Sequence, residues 1–323
     1  MKRIGFLAII VAFSIFNFVA CNNGNKEKSK EKTDKVTVGY LNMVSSLTHF
    51  VAKEKGYYKE QNIEVVANSV KTSNLIAQEL VSGHINVGIE LAITPILKQL
   101  DNNPNTVKIF STSNITTENG FDAIVVKNNS SIKELKDLAG KKIGGFPGST
   151  AKVSFLEMFT EKYPDLKQPT FIKLTPNLHI QSLETGDIDA LFAYEPVLST
   201  GIIKYDFQKI FPSVYGTQFS PNPIGVGAVN NDWLKNNPKI AKRFFIAINK
   251  ALDFINNHPK EAKSILAKAT NIDEKIAQNM NTLPLSKSNE ININNLDKYL
   301  VLLKKLGEIN TVPKAKDICI KQD

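Results

Sequence analysis

Nine side chains in four short stretches carry most of the chemistry this chain offers: Tyr40, Asn42, Ser45 and Ser46; Glu90; Ser149 and Thr150; Tyr194 and Glu195. Hydroxyls and an amide can donate or accept hydrogen bonds, carboxylates accept them or pair with cations, and tyrosine rings stack on flat groups. That inventory suits recognition of a small polar molecule better than bond making. An anion site wants amides, hydroxyls and cations, whereas Glu90 and Glu195 suit amino or protonated ring-nitrogen donors. Competing structural readings stand beside each residue: Glu195 as the cap of a following helix, Ser149 or Thr150 as an N-cap, Glu90 on the surface or as a cap, and half of the first group as support for its turn. The four histidines, His49, His84, His179 and His258, are dispersed without HExxH, CxxC or an evident triad motif, and His49 reads as a core or edge residue of an early helix. With two cysteines, Cys21 and Cys319, a metal cluster or disulfide framework is excluded by count. No catalytic residue, cofactor or metal is expected.

The elements that must position these residues follow from periodicity. Residues 35–40 alternate as a strand, Leu47, Phe50 and Val51 mark a helix that exits at Gly56, and residues 63–66 begin a second strand. Leu75, Ile76, Leu80 and Val81 make another amphipathic helix, stopped by Gly83 before a strand at 85–89. This β-α-β-α-β order predicts an α/β protein with a mostly parallel sheet, whose ligands bind at the carboxyl ends of strands. Tyr40 to Ser46, Glu90, and Tyr194-Glu195 after the apolar run 190–193 all fall at such ends. Phe146-Pro147-Gly148-Ser149-Thr150 feeds a helix through Val153, Leu156 and Phe159, and free N–H groups at its start, with the helix dipole, favour ligand oxygens. A further helix over 238–256, with Ile240, Phe244, Ile248, Leu252 and Ile255 on one face, reads as core packing.

Several segments in order resemble one family. Val38-Gly39-Tyr40, the run from His49 through Gly56-Tyr57-Tyr58 to Val65, Leu80-Val81-Ser82-Gly83-His84-Ile85-Asn86-Val87-Gly88, residues 132–144 followed by Gly148-Ser149-Thr150, and residues 183–190 through Glu195-Pro196 resemble the solute-binding proteins of the sulfonate, nitrate, taurine and pyrimidine-precursor ABC importers. Asn86 departs from the Asp common at its position. The resemblance implies a type II two-lobe periplasmic-binding-protein-like clamshell with two interlobe crossings, around 110–123 and at 221–226. Lobe one would span 36–121 and 226–323, and lobe two 122–225. It also implies capture of a small-molecule solute between the lobes by a monomer that docks on a membrane permease driven by a separate ATPase. An aliphatic sulfonate, taurine or nitrate binder, or a non-transport binding or sensory lipoprotein, are the alternatives. One branch of the family makes the thiamine pyrimidine in a suicide reaction with a Lys-bound pyridoxal cofactor and a Cys-rich metal motif; this chain has no such Cys run.

The chain's beginning bears on location. Met1-Lys2-Arg3, an apolar run over 4–16 and Phe18-Val19-Ala20-Cys21 read as a lipoprotein signal peptide over 1–20, too short for a permanent span, with plain secretion as the alternative. Cys21 would carry the lipid, palmitate included, and residues 21–35, without an apolar residue after the cysteine, would be a flexible tether. The formal charge of +9 falls to +7 without Lys2 and Arg3, and to +5 without the five Lys, two Glu and one Asp of 22–35. The remaining basic residues are mostly scattered lysines rather than arginine-rich blocks with interleaved aromatics, which argues against nucleic-acid binding.

Overall fold

Alternating Val36 and Val38, both fully buried, make Asp34–Leu41 the first strand, β1, of a computed structural model that describes residues 33–320. The segments expected to be a signal peptide, a lipidation site at Cys21 and a tether lie, up to Lys32, outside the described residues. Asp34 and Lys35, expected in the tether, belong to β1: they pair with Ile63 and Glu64, and Asp34 accepts an ion-pair hydrogen bond from Arg243. Chain order continues with β2 (Ile63–Val70), β3 (Val87–Ala92), β4 (Val107–Ile115), β5 (Asp122–Val126), β6 (Lys142–Gly145), β7 (Thr170–Lys173), β8 (Ala190–Tyr194), β9 (Gln208–Phe211), β10 (Asn222–Asn230) and β11 (Leu285–Ser286).

These strands form two sheets, ordered β11-β4-β10-β3-β1-β2 and β7-β6-β8-β5-β9. Parallel pairing, expected to predominate, is confined to β1 with β2 and β3, and to β6 with β7 and β8. The departure has a topological cause. Residues 116–121 carry the chain from β4 to the second sheet, where β5 runs antiparallel to β8 and β9. Residues 219–221 bring it back as β10, which inserts antiparallel between β3 and β4. A lobe is built on each sheet, and two connections join them.

Local choices agree with this plan. Helix Leu47–Glu54 is followed by Gly56 at φ 75°, a left-handed turn that glycine takes without a Cβ penalty. Asn86 serves where an aspartate was expected because its carbonyl oxygen accepts from both Thr37 N and Thr37 Oγ1, each at 2.8 Å, tying the start of β3 to β1. Helix Pro238–Asn257 begins with a proline at a position where the missing N–H costs nothing. It buries Phe244, Ile248, Leu252 and Ile255 as expected and packs on helix Leu47–Glu54, while Ile240 is half-buried. Each of those fully buried large side chains contributes about 1.5–3 kcal/mol. Cys319 is buried beside β4, and burial pushes its thiol up to about 12, so it stays protonated.

Candidate functional site

The first lobe presents an irregular strand end. Between the pairs Leu91–Val226 and Gly88–Ala228, β3 places Ile89 and Glu90 opposite the single residue Gly227. This bulge holds Glu90 at φ 43°, a conformation that costs a non-glycine residue on the order of 1–3 kcal/mol. The distortion aims the carboxylate across β10 at β4. Ser111 Oγ donates to Glu90 Oε1 at 2.7 Å and itself accepts from Gly227 N at 3.1 Å. Glycine at 227 is needed for that close approach, because a Cβ there would lie 2.3 Å from Ser111 Oγ. Glu90 is 4% exposed, and its Oε2 makes no hydrogen bond among the described residues. Burial pushes its carboxyl up to about 7, against the pull of the Ser111 hydrogen bond and of the Ser113 hydroxyl close by, which stands outside hydrogen-bond geometry.

Beside β3 packs the short helical turn Val44–Ser46. The hydroxyls of Ser45, Ser46 and Thr48 are buried without a partner among the described residues, as is Ser113 Oγ on β4. Buried polar groups of this kind are few in folded proteins, so their concentration along the carboxyl end of one sheet is informative. Ser45 and Leu47 line a recess of about 10 Å³ with Thr282, Leu283 and Leu285, room for about one water. Tyr40 packs on His49 at 4.8 Å and against the edge of Phe50 at 5.7 Å. Asn42 is exposed. His49 is the core residue expected: it is buried, its Nδ1 lies 3.2 Å from Tyr58 Oη, and burial beside Lys53 lowers it to about 4.

The second lobe contributes an aromatic wall. Tyr194 stacks on Tyr215 at 5.9 Å and 12°, their hydroxyls 3.0 Å apart, with Phe146 at 5.1 Å. Tyr215, not anticipated from sequence, is positioned by Asp122. That carboxylate accepts from Ser213 Oγ at 2.7 Å and Val214 N at 2.6 Å, and burial raises it to about 6 despite these bonds. His179, buried, packs its ring edge-on against Phe146 and bonds the Leu174 carbonyl through Nε2 at 3.0 Å.

Three residues expected to contact a ligand have partners within the chain. Glu195 folds over the helix that follows it: Ser199 N donates to Oε2 at 3.0 Å, Ser199 Oγ to Oε1 at 2.8 Å, and Asn281 N to Oε1 at 3.4 Å. The capping reading of Glu195 is therefore the one its geometry fits. Ser149 and Thr150 do not cap helix Ser149–Lys162, whose N-cap is Gly148. Their hydroxyls donate to Glu308 Oε2 at 2.9 and 3.0 Å. Glu308 and the cavity of about 190 Å³ lined by Thr112, Asn114, Pro221, Pro223, Glu290 and Asn295 escaped the sequence reading. None of the nine expected residues lines that cavity. Among the described residues, no group of three His, Cys, Asp or Glu could hold a metal, and no helix is long and apolar enough to cross a membrane.

Two α/β lobes on separate mixed sheets, linked twice and bearing polar and aromatic residues at their strand ends, define the periplasmic-binding-protein clamshell. The Escherichia coli periplasmic aliphatic sulphonate binding protein SsuA shares this fold with TM-score 0.72 and 15% identity, over 90% of this chain and 93% of that one. The chain belongs to the NMT1/THI5-like family, whose model matches residues 44–262. A putative aliphatic sulfonates-binding protein of Bacillus subtilis is 23% identical over 86% of this chain and 83% of its own length. A 4-amino-5-hydroxymethyl-2-methylpyrimidine phosphate synthase of Saccharomyces cerevisiae is 22% identical over 71% of this chain and 69% of its own. The relatives of this chain thus include a protein named for binding and one named for synthesis.

Proposed function

We propose that this chain is the solute-binding component of an ABC importer, a monomer anchored outside the cytoplasmic membrane by lipid on Cys21, and that its solute is a small amine-bearing heterocycle of the aminopyrimidine type. The observation that carries the solute class is Glu90: a strained, buried carboxylate with one oxygen bonded to Ser111 and the other without a hydrogen bond among the described residues. A buried acceptor without a donor costs about 1–3 kcal/mol, a cost a ligand amino group would remove. In this reading Ser45, Ser46 and Tyr40 add contacts from the first lobe, with Asn42 at the rim, and Tyr194 offers a stacking face from the second. Glu195, Ser149 and Thr150 serve structure.

Binding rather than synthesis is supported by the dispersed histidines, the neutral core placement of His49 and the absence of a cysteine run from the sequence. A ligand that touches both lobes stabilises the closed form, which is the form a permease would select, with its ATPase supplying the work. The sulfonate reading is kept as the second because the Bacillus relative is named for sulfonates.

A thermal-shift screen of the chain from Asn22 onward, followed by calorimetry, tests both. The panel is aminopyrimidines, methanesulfonate, taurine, nitrate, riboflavin and amino acids. An aminopyrimidine at 100 times its Kd should add about 2.7 kcal/mol of stability. A sulfonate hit would retain the importer and remove the role given to Glu90. Silence across the panel would remove the solute class altogether.

A further inference from the structure

Helix Ile293–Lys305 ends in a left-handed turn at Gly307, φ 71°. Gly307 N bonds the Lys304 carbonyl at 3.0 Å and Glu308 N bonds the Leu303 carbonyl at 2.9 Å, the paired bonds of a Schellman cap. At the position of Glu308 such caps commonly carry an apolar residue packed back on their own helix. A glutamate there breaks the local rule, and departures of that kind concentrate at functional sites. The cap fixes the Glu308 backbone on the first lobe, while its side chain crosses to the second. Oε2 accepts from Ser149 Oγ, Thr150 Oγ1 and, at 3.3 Å, Lys98 Nζ, and the residue is 3% exposed. The same seam is bound again about two to three turns further along the second-lobe helix. Lys305 pairs with Glu157 at 3.3 Å and Glu161 at 3.1 Å on the helix that Ser149 begins.

The start of a 14-residue helix is the place in this lobe where N–H groups, the helix dipole and two hydroxyls would hold a ligand's anionic group. Here a carboxylate of the chain already lies on those hydroxyls. We propose that Glu308 is a specificity-determining residue, a built-in anion that bridges the lobes and excludes sulfonate, sulfate-like and carboxylate groups from the start of helix Ser149–Lys162. The solutes admitted are then neutral or cationic at that end. This rests on the reading of the space between the lobes as the solute site and narrows its ligand class. An incoming anion would have to displace Glu308 and meet its charge, whereas an amine-bearing ring engaging Glu90 leaves the bridge in place.

The test is calorimetric titration of the chain from Asn22 onward with methanesulfonate and with nitrate, for wild type, Glu308→Ala and the nearly isosteric Glu308→Gln, with a cooperative thermal transition confirmed for each. Wild type is expected to bind neither anion measurably. Both variants should bind methanesulfonate at least tenfold more tightly than wild type, and adding Ser149→Ala and Thr150→Ala to Glu308→Gln should abolish the gain. Methanesulfonate binding by wild type equal to that of the variants would overturn the proposal. So would folded Glu308→Gln that gains no anion affinity. Should Glu308→Ala fail to fold, the Gln variant decides alone. The importer reading fails separately, when wild type responds to no solute, and the gain in the variants needs no native solute to be seen.

Discussion

Glu90 and Glu195 are the same residue type at equivalent places, near the carboxyl ends of central strands in the two sheets, and the fold treats them in opposite ways. Glu195 follows β8 and spends both oxygens on the chain itself, on Ser199 N and Oγ of the helix after it and on Asn281 N from a distant segment. Glu90 sits in a bulge at positive φ, with one oxygen bonded to a serine on a strand two places away and the other without a partner among the described residues. Both carboxyls are raised by burial, and hydrogen bonds from Ser199, first in side chain and then in backbone, oppose this at Glu195. A satisfied buried carboxylate is an element of structure. A strained one with an unused oxygen is stability given up locally, which is how binding sites are commonly built.

The largest effect that would sharpen this contrast is on folding. Glu195→Ala leaves Ser199 N without its acceptor in a buried site and should cost about 3 kcal/mol of unfolding free energy, the upper range for hydrogen bonds to a charged group. Glu90→Gln should cost little or raise stability, because the bond from Ser111 survives and no charge remains to be desolvated. Urea denaturation of both variants measures this, and equal losses would break the comparison. In ligand binding the ranking should reverse. Glu90→Gln is expected to weaken an aminopyrimidine by about tenfold, or about 1.4 kcal/mol, by calorimetry, while Glu195→Gln changes affinity by less than a factor of about three.

That reversal also shows what the sequence could and could not reveal. Elements were legible where the pattern is local: the alternation of β1, the apolar stripe of helix Pro238–Asn257 and the glycine exit at Gly56 all reappear. The five ordered segments pointed to the clamshell for the same reason, since each is a short-range signature. Partners distant in the chain were invisible. Glu308 meets Ser149 across 159 positions and Ser213 meets Asp122 across 91, and neither residue looks unusual among its neighbours in sequence. The bulge at Glu90 depends on Gly227 lying opposite, a fact of strand register. Antiparallel β10 was missed because an inserted returning strand has the same apolar content as a parallel one.

The smallest expected effect separates the two carboxylates by titration. Glu90 has a folded pKa near 7 against an ordinary value of 4.5, so between those values the folded chain holds a proton that the unfolded chain has released. Stability from this group is full below about pH 4.5 and falls as pH rises through 7. From pH 6 to pH 7 wild type should lose about 1 kcal/mol relative to Glu90→Gln, since the slope cannot exceed about 1.4 kcal/mol per pH unit for one proton. The other raised acid groups, Asp122 and Glu195, remain in both proteins and cancel in the difference. Parallel stability curves for wild type and Glu90→Gln over pH 5 to 8 would mean that Glu90 is ionised and satisfied like Glu195, and its assignment as the ligand acceptor would lose its physical basis.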